Sequence, residues 1–364
     1  MPASMSESDF ADIQSLLRQH YSNVVLPLWL SAGFNPELGL PYEAVDDTSA
    51  RPLPVARYRA MACARQIFIY SRDPHGHAHA SRLFDALLRI FRNPAGGWYY
   101  SVDAAGEPLD TTQDLYTHAF IVLACAVYFE RTRHSEAHKV LLSTVRDIEA
   151  RFRDEQGCYI AARSSEGEIV RGREQNPVMH LTEAYLAAAA LAEPAWFAQK
   201  LRELAQQVFD VYVDADTHCI LELARDEPDN RIEPGHQFEW YALLASAPDV
   251  FDGLDLAALV GRAATWAEAH GVAAHTCGVH ACLALDGSVI DGQQRIWAQT
   301  EYARYLALVA SPDRLRQLQA LRGRFLHAAG WHEVLSPEGE VLRRDMPSTT
   351  PYHLWTGYVS VIGG

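Results

Sequence analysis

Residues 96–126, GGWYYSVDAAGEPLDTTQDLYTHAFIVLACA, contain the pattern that decides the fold. A Gly-aromatic start leads through a short alternating segment, an acidic-Gly turn and a polar connector into an apolar run that carries a histidine. Five further stretches have this layout, the first of them more faintly: 38–71, 157–190, 219–245, 278–310 and 330–363. Intervals of 58, 61, 61, 59 and 52 residues separate their apolar anchors, which are Leu40, Trp98, Tyr159, Ile220, Val279 and Trp331. A regular period indicates one supersecondary unit per repeat, so the chain contains six units.

Helical segments lie between and within these units. Between them, apolar residues recur at three- and four-residue spacing, which predicts amphipathic helices at 8–28, 77–92, 135–153, 195–211, 254–270 and 312–329. Within them, runs such as Phe120–Val127 and Ala184–Ala190 are apolar nearly all round, as buried helices are. The sequence therefore predicts six outer helices that alternate with six inner ones.

A single layer of six helical hairpins buries its inner faces either by closing into a ring or by stacking as an open solenoid. An open solenoid needs polar capping repeats, and the first and last units here carry none. We therefore predict an all-α fold, an (α/α)6 barrel, as a single domain over residues 1–364, with short β-hairpins at one mouth. The alternative is an open helical-repeat scaffold for protein partners.

Charge and composition exclude several functional classes. The chain has 364 residues, with 31 Lys+Arg against 46 Asp+Glu and a net charge of −15, so we predict no nucleic-acid partner. It has neither a basic, apolar leader nor a stretch of about 18 apolar residues, so we predict a cytoplasmic protein with no membrane partner. The six scattered cysteines form no C-x-x-C and are expected to be reduced thiols.

The start of each predicted inner helix carries residues that are capable of chemistry. In chain order they are Arg57, Arg59, Arg65, Tyr116, His118, Asn176, His180, Glu183, His236, Glu239, Trp297, Gln299, Glu301, Tyr352 and His353. The repeat predicts that they face one cavity, and that the four histidines occupy equivalent positions in four units. In His180-x-x-Glu183 and His236-x-x-Glu239 the carboxylate follows one turn after the imidazole, where it can fix the ring tautomer or bind a polyol.

Other kinds of site have little support in the sequence. His75, His77 and His79 belong to a loop before an outer helix. The segment 275–282 contains four possible metal ligands, His275, Cys277, His280 and Cys282. If 279–285 is a single strand, its side chains alternate between two faces, so His280 and Cys282 lie on the face opposite Cys277 and Val279 and the ligands are separated. We predict no metal ion, and no cofactor, because the chain has no phosphate-binding glycine loop. A glycoside hydrolase with a carboxylate pair drawn from Glu183, Glu239 and Glu301 is the alternative enzyme.

Six motifs together resemble the N-acylglucosamine 2-epimerase family, which includes mannose isomerases, cellobiose 2-epimerases and sulfoquinovose-type isomerases. They are ARQ at 64–66, YTHAF at 116–120, NPVMHLTEA at 176–184, PGHQFEW at 234–240, WAQTE at 297–301 and PYH at 351–353. The similarity extends from about residue 20 to residue 364, and PGHQFEW is its most specific part. Family membership implies an (α/α)6 barrel, in agreement with the repeat.

The resemblance also implies a mechanism, in which a proton moves at the carbon next to the sugar carbonyl through an enediol. His236 and His353 match the acid/base pair, His180 matches an assisting histidine, and Arg65 matches the residue that polarises the carbonyl oxygen. We expect seven further residues of the helix starts to bind substrate: Tyr116, His118, Asn176, Glu183, Glu239, Trp297 and Glu301. Trp240 could offer a second aromatic face to the sugar, or it could belong to the core.

The expected substrate is a free monosaccharide, with conversion of D-mannose to D-fructose as the predicted reaction. The last motif, Met346-Pro-Ser-Thr-Thr-Pro-Tyr-His353, differs from the Lys-Pro-Asp that some mannose isomerases have before Tyr-His. A 2-epimerase therefore stays open within the family, and an inert sugar-binding barrel stays open outside it. The connectors contain several arginines, so a phosphorylated sugar also stays open. A homodimer is possible.

Overall fold

The computed structural model describes residues 7–362, and the six predicted inner helices are all present in it. Their bounds are α3 Ala60–Arg72, α5 Leu115–Thr132, α7 Gln175–Ala189, α9 Pro234–Ala245, α12 Ile296–Leu308 and α14 Thr350–Ile362. The outer layer contains α1 Glu7–His20 with α2 Leu26–Leu30, α4 His77–Ala86, α6 Ser135–Arg151, α8 Pro194–Tyr212, α11 Asp255–Gly271 and α13 Arg314–Phe325, and a short α10, Pro248–Phe251, joins the layers. The predicted domain, 1–364, includes residues 1–6 and 363–364, which lie outside the described residues.

The inner helices pack in a closed ring. Each one contacts the next in chain order, α3 with α5 and so on to α14, and α14 contacts α3 again. Each inner helix also packs against an outer helix, as α5 does against α6. Burial in the two layers explains this order, because α5 is buried almost all round and α6 is buried along one face. The predicted closure into an all-α barrel is confirmed.

A pair of strands joins the two ends of the ring. Strand β3, Ala44–Asp46, lies in the first unit and pairs antiparallel with β19, Asp345–Pro347, in the last unit. The terminal units are therefore linked by backbone hydrogen bonds as well as by helix packing, which satisfies edges that an open solenoid would expose to solvent.

Short hairpins precede the inner helices, as the repeat predicts. The three-stranded sheets contain β4 Tyr58–Arg59, β5 Ser101–Val102 and β6 Pro108–Asp110; β7 Gln113–Asp114, β8 Ala162–Arg163 and β9 Ile169–Arg171; and β14 Gln294–Arg295, β17 Val334–Leu335 and β18 Val341–Arg343. The other two-stranded sheets contain β1 Phe34–Asn35 and β2 Leu40–Pro41; β10 Val272–Ala273 and β11 Gly278–Val279; β12 Cys282–Leu283 and β13 Val289–Asp291; and β15 Leu326–His327 and β16 Gly330–Trp331. Several inner helices begin directly after a strand, so the hairpins and the helix N-termini share one end of the barrel.

Two local predictions differ from the structure, and one local feature was not predicted. The last outer helix ends at Phe325 instead of 329, because Leu326 and His327 pair with Trp331 and Gly330. Segment 279–285 is not one strand, since its residues divide between β11 and β12 in different sheets. Helices α1 and α4 continue as π-helical turns at Tyr21–Val25 and Leu87–Phe91, which no sequence signal indicated.

No helix within residues 7–362 combines the length and apolar character needed to cross a membrane. All six cysteines are free.

Candidate active site

A polar cavity of about 160 Å³ lies at the N-terminal ends of the inner helices. All six inner helices contribute residues to its lining, and the connectors that precede them contribute others. The lining residues are Arg65, Tyr116, Asn176, His180, Glu233, His236, Glu239, Arg295, Trp297, Glu333, Thr349, Thr350 and His353. Eight of the eleven predicted site residues are among them, so the folded chain brings most of the predicted site together.

His236 is held by carboxylates. Its Nδ1 lies 2.8 Å from Glu222 Oε1 and 3.8 Å from Glu233 Oε2. Burial alone would lower the pKa of His236, but the charges of Glu222 and Glu233 outweigh burial and raise the pKa to about 9. His236 is therefore an imidazolium at neutral pH, and its Nδ1 contacts Glu222 and also lies 2.9 Å from the Gln175 amide nitrogen.

Two neighbouring side chains orient Glu222. The Gln175 amide nitrogen donates to both Glu222 carboxylate oxygens at 3.2 Å, and its oxygen accepts from Trp240 Nε1 at 2.7 Å. Trp240 is fully buried and does not line the cavity, so of its two predicted roles the structure supports packing in the core. This chain of hydrogen bonds fixes the amide orientation of Gln175 and, through it, the carboxylate beside His236.

His353 has the same type of partner as His236 but carries no charge. Its Nδ1 lies 3.2 Å from Glu301 Oε1, while Glu301 Oε2 accepts from Arg304 Nη1 at 3.4 Å. Burial, followed by the positive charge of Arg65, lowers the pKa of His353 well below its ordinary value. His353 is therefore neutral at physiological pH and can accept a proton.

Trp297 lies between these two histidines. Its ring centroid is 4.9 Å from that of His236 and 5.6 Å from that of His353. Gly235 makes this position possible, because a Cβ at that residue would lie only 2.7 Å from the Trp297 ring. The glycine of the PGHQFEW motif therefore has a packing reason, which is to let an aromatic face border the cavity.

Arg65 borders the cavity from α3. Its Nη2 donates to the Tyr116 hydroxyl at 2.6 Å, and its guanidinium carbon lies 4.2 Å from the Phe120 ring centroid and 4.8 Å from that of Tyr352. The charge is thus surrounded by aromatic faces, and no carboxylate within residues 7–362 forms an ion pair with it at 4 Å. A cation without an anionic partner can stabilise negative charge that develops on a substrate oxygen.

His180 lies among the acidic groups of the cavity floor. Its Nδ1 is 3.3 Å from Glu183 Oε2, and its Nε2 is 4.0 Å from Glu239 Oε1. Burial lowers the pKa of His180, with Glu183 opposing the change. Burial, followed by the charges of Glu301 and Glu183, raises the pKa of Glu239 well above its ordinary value.

His118 does not face the cavity, which contradicts the prediction. It is fully buried, its Nδ1 lies 2.8 Å from the Asp114 carbonyl oxygen, and its ring packs on Phe152. Tyr116 faces the cavity, and a residue two positions further along a helix points about 200° away. The four histidines are consequently not all equivalent: His180 is the sixth residue of α7 and His236 the third of α9, whereas His118 and His353 are each the fourth residue of their helices and of these two only His353 lines the cavity.

Glu183 and Glu301 lie behind the cavity lining. Glu183 accepts hydrogen bonds from Tyr352 and His180, and Glu301 contacts His353 and Arg304. Both carboxylates therefore position other side chains of the site. They do not line the cavity, where the sequence analysis expected them to contact substrate. Of the three carboxylates from which the hydrolase alternative draws its pair, only Glu239 lines the cavity.

Two carboxylate and histidine clusters at the cavity could hold a metal ion, which the sequence did not indicate. Within residues 7–362, one possible ligand atom from each member lies within 4.8 Å of the others in Glu222, Glu233 and His236, and in Glu239, Glu301 and His353. Metal binding to the first cluster requires removal of the His236 proton, which the surrounding carboxylates stabilise. The described residues of the two local sequence patterns form no such cluster: His79 packs on Phe34 and Tyr70, apart from the exposed His75 and His77, and none of the residues in 275–282 belongs to one.

Sequence reasoning missed the acidic residues of the connectors and one arginine. Glu222, Glu233, Glu333 and Arg295 border the cavity or contact its histidines. Glu222 had one signal, since it is the single charged residue in the apolar stretch CILEL at 219–223. Glu333 is oriented by Trp331 Nε1 at 3.0 Å and by Thr350 Oγ1 at 2.7 Å.

Comparison with known proteins assigns the chain to a family. Residues 44–356 match the family described as N-acylglucosamine 2-epimerase. The chain is 28% identical over 366 residues to a mannose-6-phosphate isomerase of Rhizobium meliloti (strain 1021), with 92% of each chain covered, and 29% identical over 250 residues to a D-mannose isomerase of Thermobifida fusca, with 60% of each covered. The solved structure of a cellobiose 2-epimerase from Bacillus thermoamylovorans B4167 superimposes with a TM-score of 0.86 at 18% identity, over 96% of this chain and 98% of that one. The predicted family is confirmed: the chain belongs to the N-acylglucosamine 2-epimerase family and is a sugar isomerase or epimerase.

Proposed function

We propose that this enzyme interconverts a free aldose and a ketose, with D-mannose and D-fructose as the substrate pair. The observation that carries the proposal is the pair of histidines at one cavity with opposite protonation states. His236 is charged and His353 is neutral, so one can donate a proton while the other accepts one. The cavity of about 160 Å³ is smaller than most ligand sites, which suits one monosaccharide.

The protonation states suggest a role for each group. His353 Nε2 takes the proton from C2 of the open-chain aldose and returns it to C1. His236 donates its proton to O1 and receives the proton of O2, so that the enediol becomes the ketose and both histidines regain their starting states. Arg65 stabilises the negative charge that develops on the enediolate oxygens, and Trp297 covers the apolar edge of the sugar.

A 2-epimerase is the second candidate, and one observation favours it. Both histidines use Nδ1 to contact a glutamate, so each has Nε2 left for the substrate. If they lie on opposite faces of C2, His353 removes the proton and His236 delivers one from the other side. The same two residues then invert C2 instead of moving the carbonyl.

The charge of the substrate is the next question, because one relative is named a mannose-6-phosphate isomerase. Three glutamates, Glu233, Glu239 and Glu333, line the cavity together with Arg65 and Arg295. An outer chamber of about 310 Å³ shares Glu233, Arg295 and Trp297 with the cavity and adds Arg231. Since acidic groups border both spaces, we propose a substrate without a phosphate.

The test is incubation with mannose, glucose, fructose, lyxose and mannose 6-phosphate in deuterated water, with products identified by NMR. The isomerase predicts fructose from mannose with deuterium at C1 whenever the proton exchanges, and the epimerase predicts glucose with deuterium at C2. Conversion of mannose 6-phosphate alone would overturn the free-sugar assignment. Failure to convert any of these sugars, with release of reducing ends from an oligosaccharide, would favour the glycoside hydrolase.

Four further expectations belong to this proposal. The enzyme uses no cofactor, has neither a nucleic-acid nor a membrane partner, resides in the cytoplasm and can form a homodimer. Activity that survives dialysis against a strong chelator would support the first of these. Fractionation of cells and size-exclusion chromatography with light scattering test the location and the oligomeric state.

A further inference from the structure

A carboxylate and two imidazoles meet at the seam where the first and last units of the barrel join, outside the cavity. One possible ligand atom from each of Asp47, His327 and His332 lies within 4.8 Å of the other two. In place of the sequence-based prediction of no metal ion, we propose that these three residues bind a divalent transition-metal ion, with zinc as the ion that the ligand set favours.

The fold brings the three residues together from distant parts of the chain. Asp47 follows β3, which pairs with β19, and the Asp47 amide donates to the Arg344 carbonyl oxygen at 3.2 Å. His327 belongs to β15, and His332 follows its partner strand β16. A bound ion would therefore connect the first unit to the last across the closure of the ring.

The separation of Asp47 and His332 matches that of two ligands on one metal ion. Asp47 Oδ2 and His332 Nδ1 are 3.3 Å apart. Charge-assisted hydrogen bonds are shorter, at about 2.7–2.9 Å. In a tetrahedral zinc site, bonds of about 2.0–2.2 Å place two ligand atoms about 3.4 Å apart. The pair thus already has the separation of two ligands on one ion.

His327 supplies a second, independent observation. Its Nε2 is buried and has no hydrogen-bond partner in the described part of the chain. Its Nδ1 accepts a long contact, 3.3 Å, from the Ala329 amide, which leaves Nε2 as the ligand atom. The His327 and His332 rings lie with centroids 4.6 Å apart at 35° to each other, which brings both imidazoles to Asp47.

Surrounding groups make the site rigid and electrostatically suited to a cation. His20 Nε2 lies 3.0 Å from the His327 carbonyl oxygen and 2.9 Å from that of Gly330, so α1 holds the hairpin in place. Asp47 is 3% exposed, and the cation nearest to its carboxylate, Arg344, is 3.9 Å away on a largely exposed side chain. A buried carboxylate with so weak a counterion would be stabilised by a metal. Three protein ligands leave the fourth zinc position for water.

The experiment uses the full-length chain after dialysis against a chelator, followed by titration with zinc chloride. Calorimetry and elemental analysis should give one zinc per chain, and zinc should raise the melting temperature because it binds the folded state. His327→Ala, His332→Ala and Asp47→Asn should each weaken zinc affinity by at least ~100-fold, beyond the 10–100-fold seen for groups that only support a ligand. His275→Ala, which changes an exposed histidine elsewhere, should leave zinc affinity unchanged.

Two controls keep the result decisive. Circular dichroism and melting temperature without zinc show whether each variant folds, and His327→Gln and His332→Gln replace any alanine variant that does not. His236→Ala and His353→Ala alter the two cavity clusters and should retain the seam-bound zinc. Absence of zinc from the wild-type chain, or loss of zinc in the cavity variants but not in the seam variants, would overturn the assignment.

Discussion

His236 and His353 have similar surroundings, yet His236 is charged and His353 is neutral. Each extends from an inner helix, packs near Trp297 and places Nδ1 against a glutamate, at 2.8 Å from Glu222 and 3.2 Å from Glu301 respectively. The difference lies in the charged side chains that surround each His–Glu pair. The charges of Glu222 and Glu233 together raise the pKa of His236 despite its burial. Near His353, Arg304 forms an ion pair with Glu301, and burial together with the charge of Arg65 lowers the pKa of His353.

This comparison shows that a His–Glu contact does not by itself determine whether the imidazole is charged. A carboxylate raises the pKa of a buried imidazole only when its own charge is not compensated. The two halves of the cavity therefore differ in function although they contain the same residue types. The four predictions below test that difference.

The largest expected effect follows removal of either histidine. His236→Ala and His353→Ala should each lower kcat by at least ~100-fold, as loss of a general acid or base does. Steady-state assays with mannose measure kcat, and circular dichroism confirms the fold. His275→Ala is the matched control and should keep wild-type turnover, because His275 is exposed in a turn. Near wild-type turnover in either cavity variant removes that histidine from the mechanism.

The next effect should appear in the pH profile of Glu222→Gln. In the wild type, activity should fall as pH rises through the His236 pKa of about 9, because the charged form is lost. Replacing Glu222 removes the charge that raises this pKa, so the alkaline limb should move to lower pH. At pH 8.5 we expect kcat/KM to fall about tenfold for each unit by which this pKa drops below 8.5.

Glu227→Gln, which removes an exposed glutamate nearby in sequence, should leave that limb in place. The raised pKa also contributes to stability. This contribution is complete below the unfolded pKa of about 6.5 and is lost as pH rises through about 9. An unchanged alkaline limb in Glu222→Gln would mean that another group controls it.

A smaller effect on turnover is expected for Glu239→Gln. Burial and the neighbouring Glu301 raise the pKa of Glu239, which favours its protonated form, and a neutral glutamine resembles that form. A raised carboxyl pKa lowers stability above the unfolded pKa of about 4.3, so the variant should melt at a higher temperature than the wild type at pH 8. The advantage should disappear at pH 4, and a variant that is less stable at pH 8 would show that Glu239 is ionised.

The smallest effect on turnover is expected for His118→Ala. This buried histidine contacts the Asp114 carbonyl oxygen and the Phe152 ring. Its loss should therefore lower the free energy of unfolding by about 1–3 kcal/mol, while kcat should stay near the wild-type value. Chemical denaturation and mannose turnover measure the two quantities. A large rise in KM without loss of stability would return His118 to the substrate site.

Sequence reasoning was most successful for the fold, because the repeat expresses the same packing solution six times. Apolar spacing distinguished outer helices such as α6 from inner ones such as α5, and the absence of capping repeats predicted the closed ring. Eight of the eleven predicted site residues line the cavity for the same reason, since each belongs to a helix start whose direction the repeat defines.

Tertiary structure decided which way each side chain points from its helix and which side chains of different units meet. His118 looked equivalent to His236 in sequence, yet its position in α5 turns it into the core. Glu222 meets His236 across 14 residues of connector, and Asp47 meets His332 across 285 residues. Local periodicity identifies helices and their buried faces because those depend on neighbouring residues. The charge of a histidine depends on side chains that only the closed barrel brings within a few ångströms.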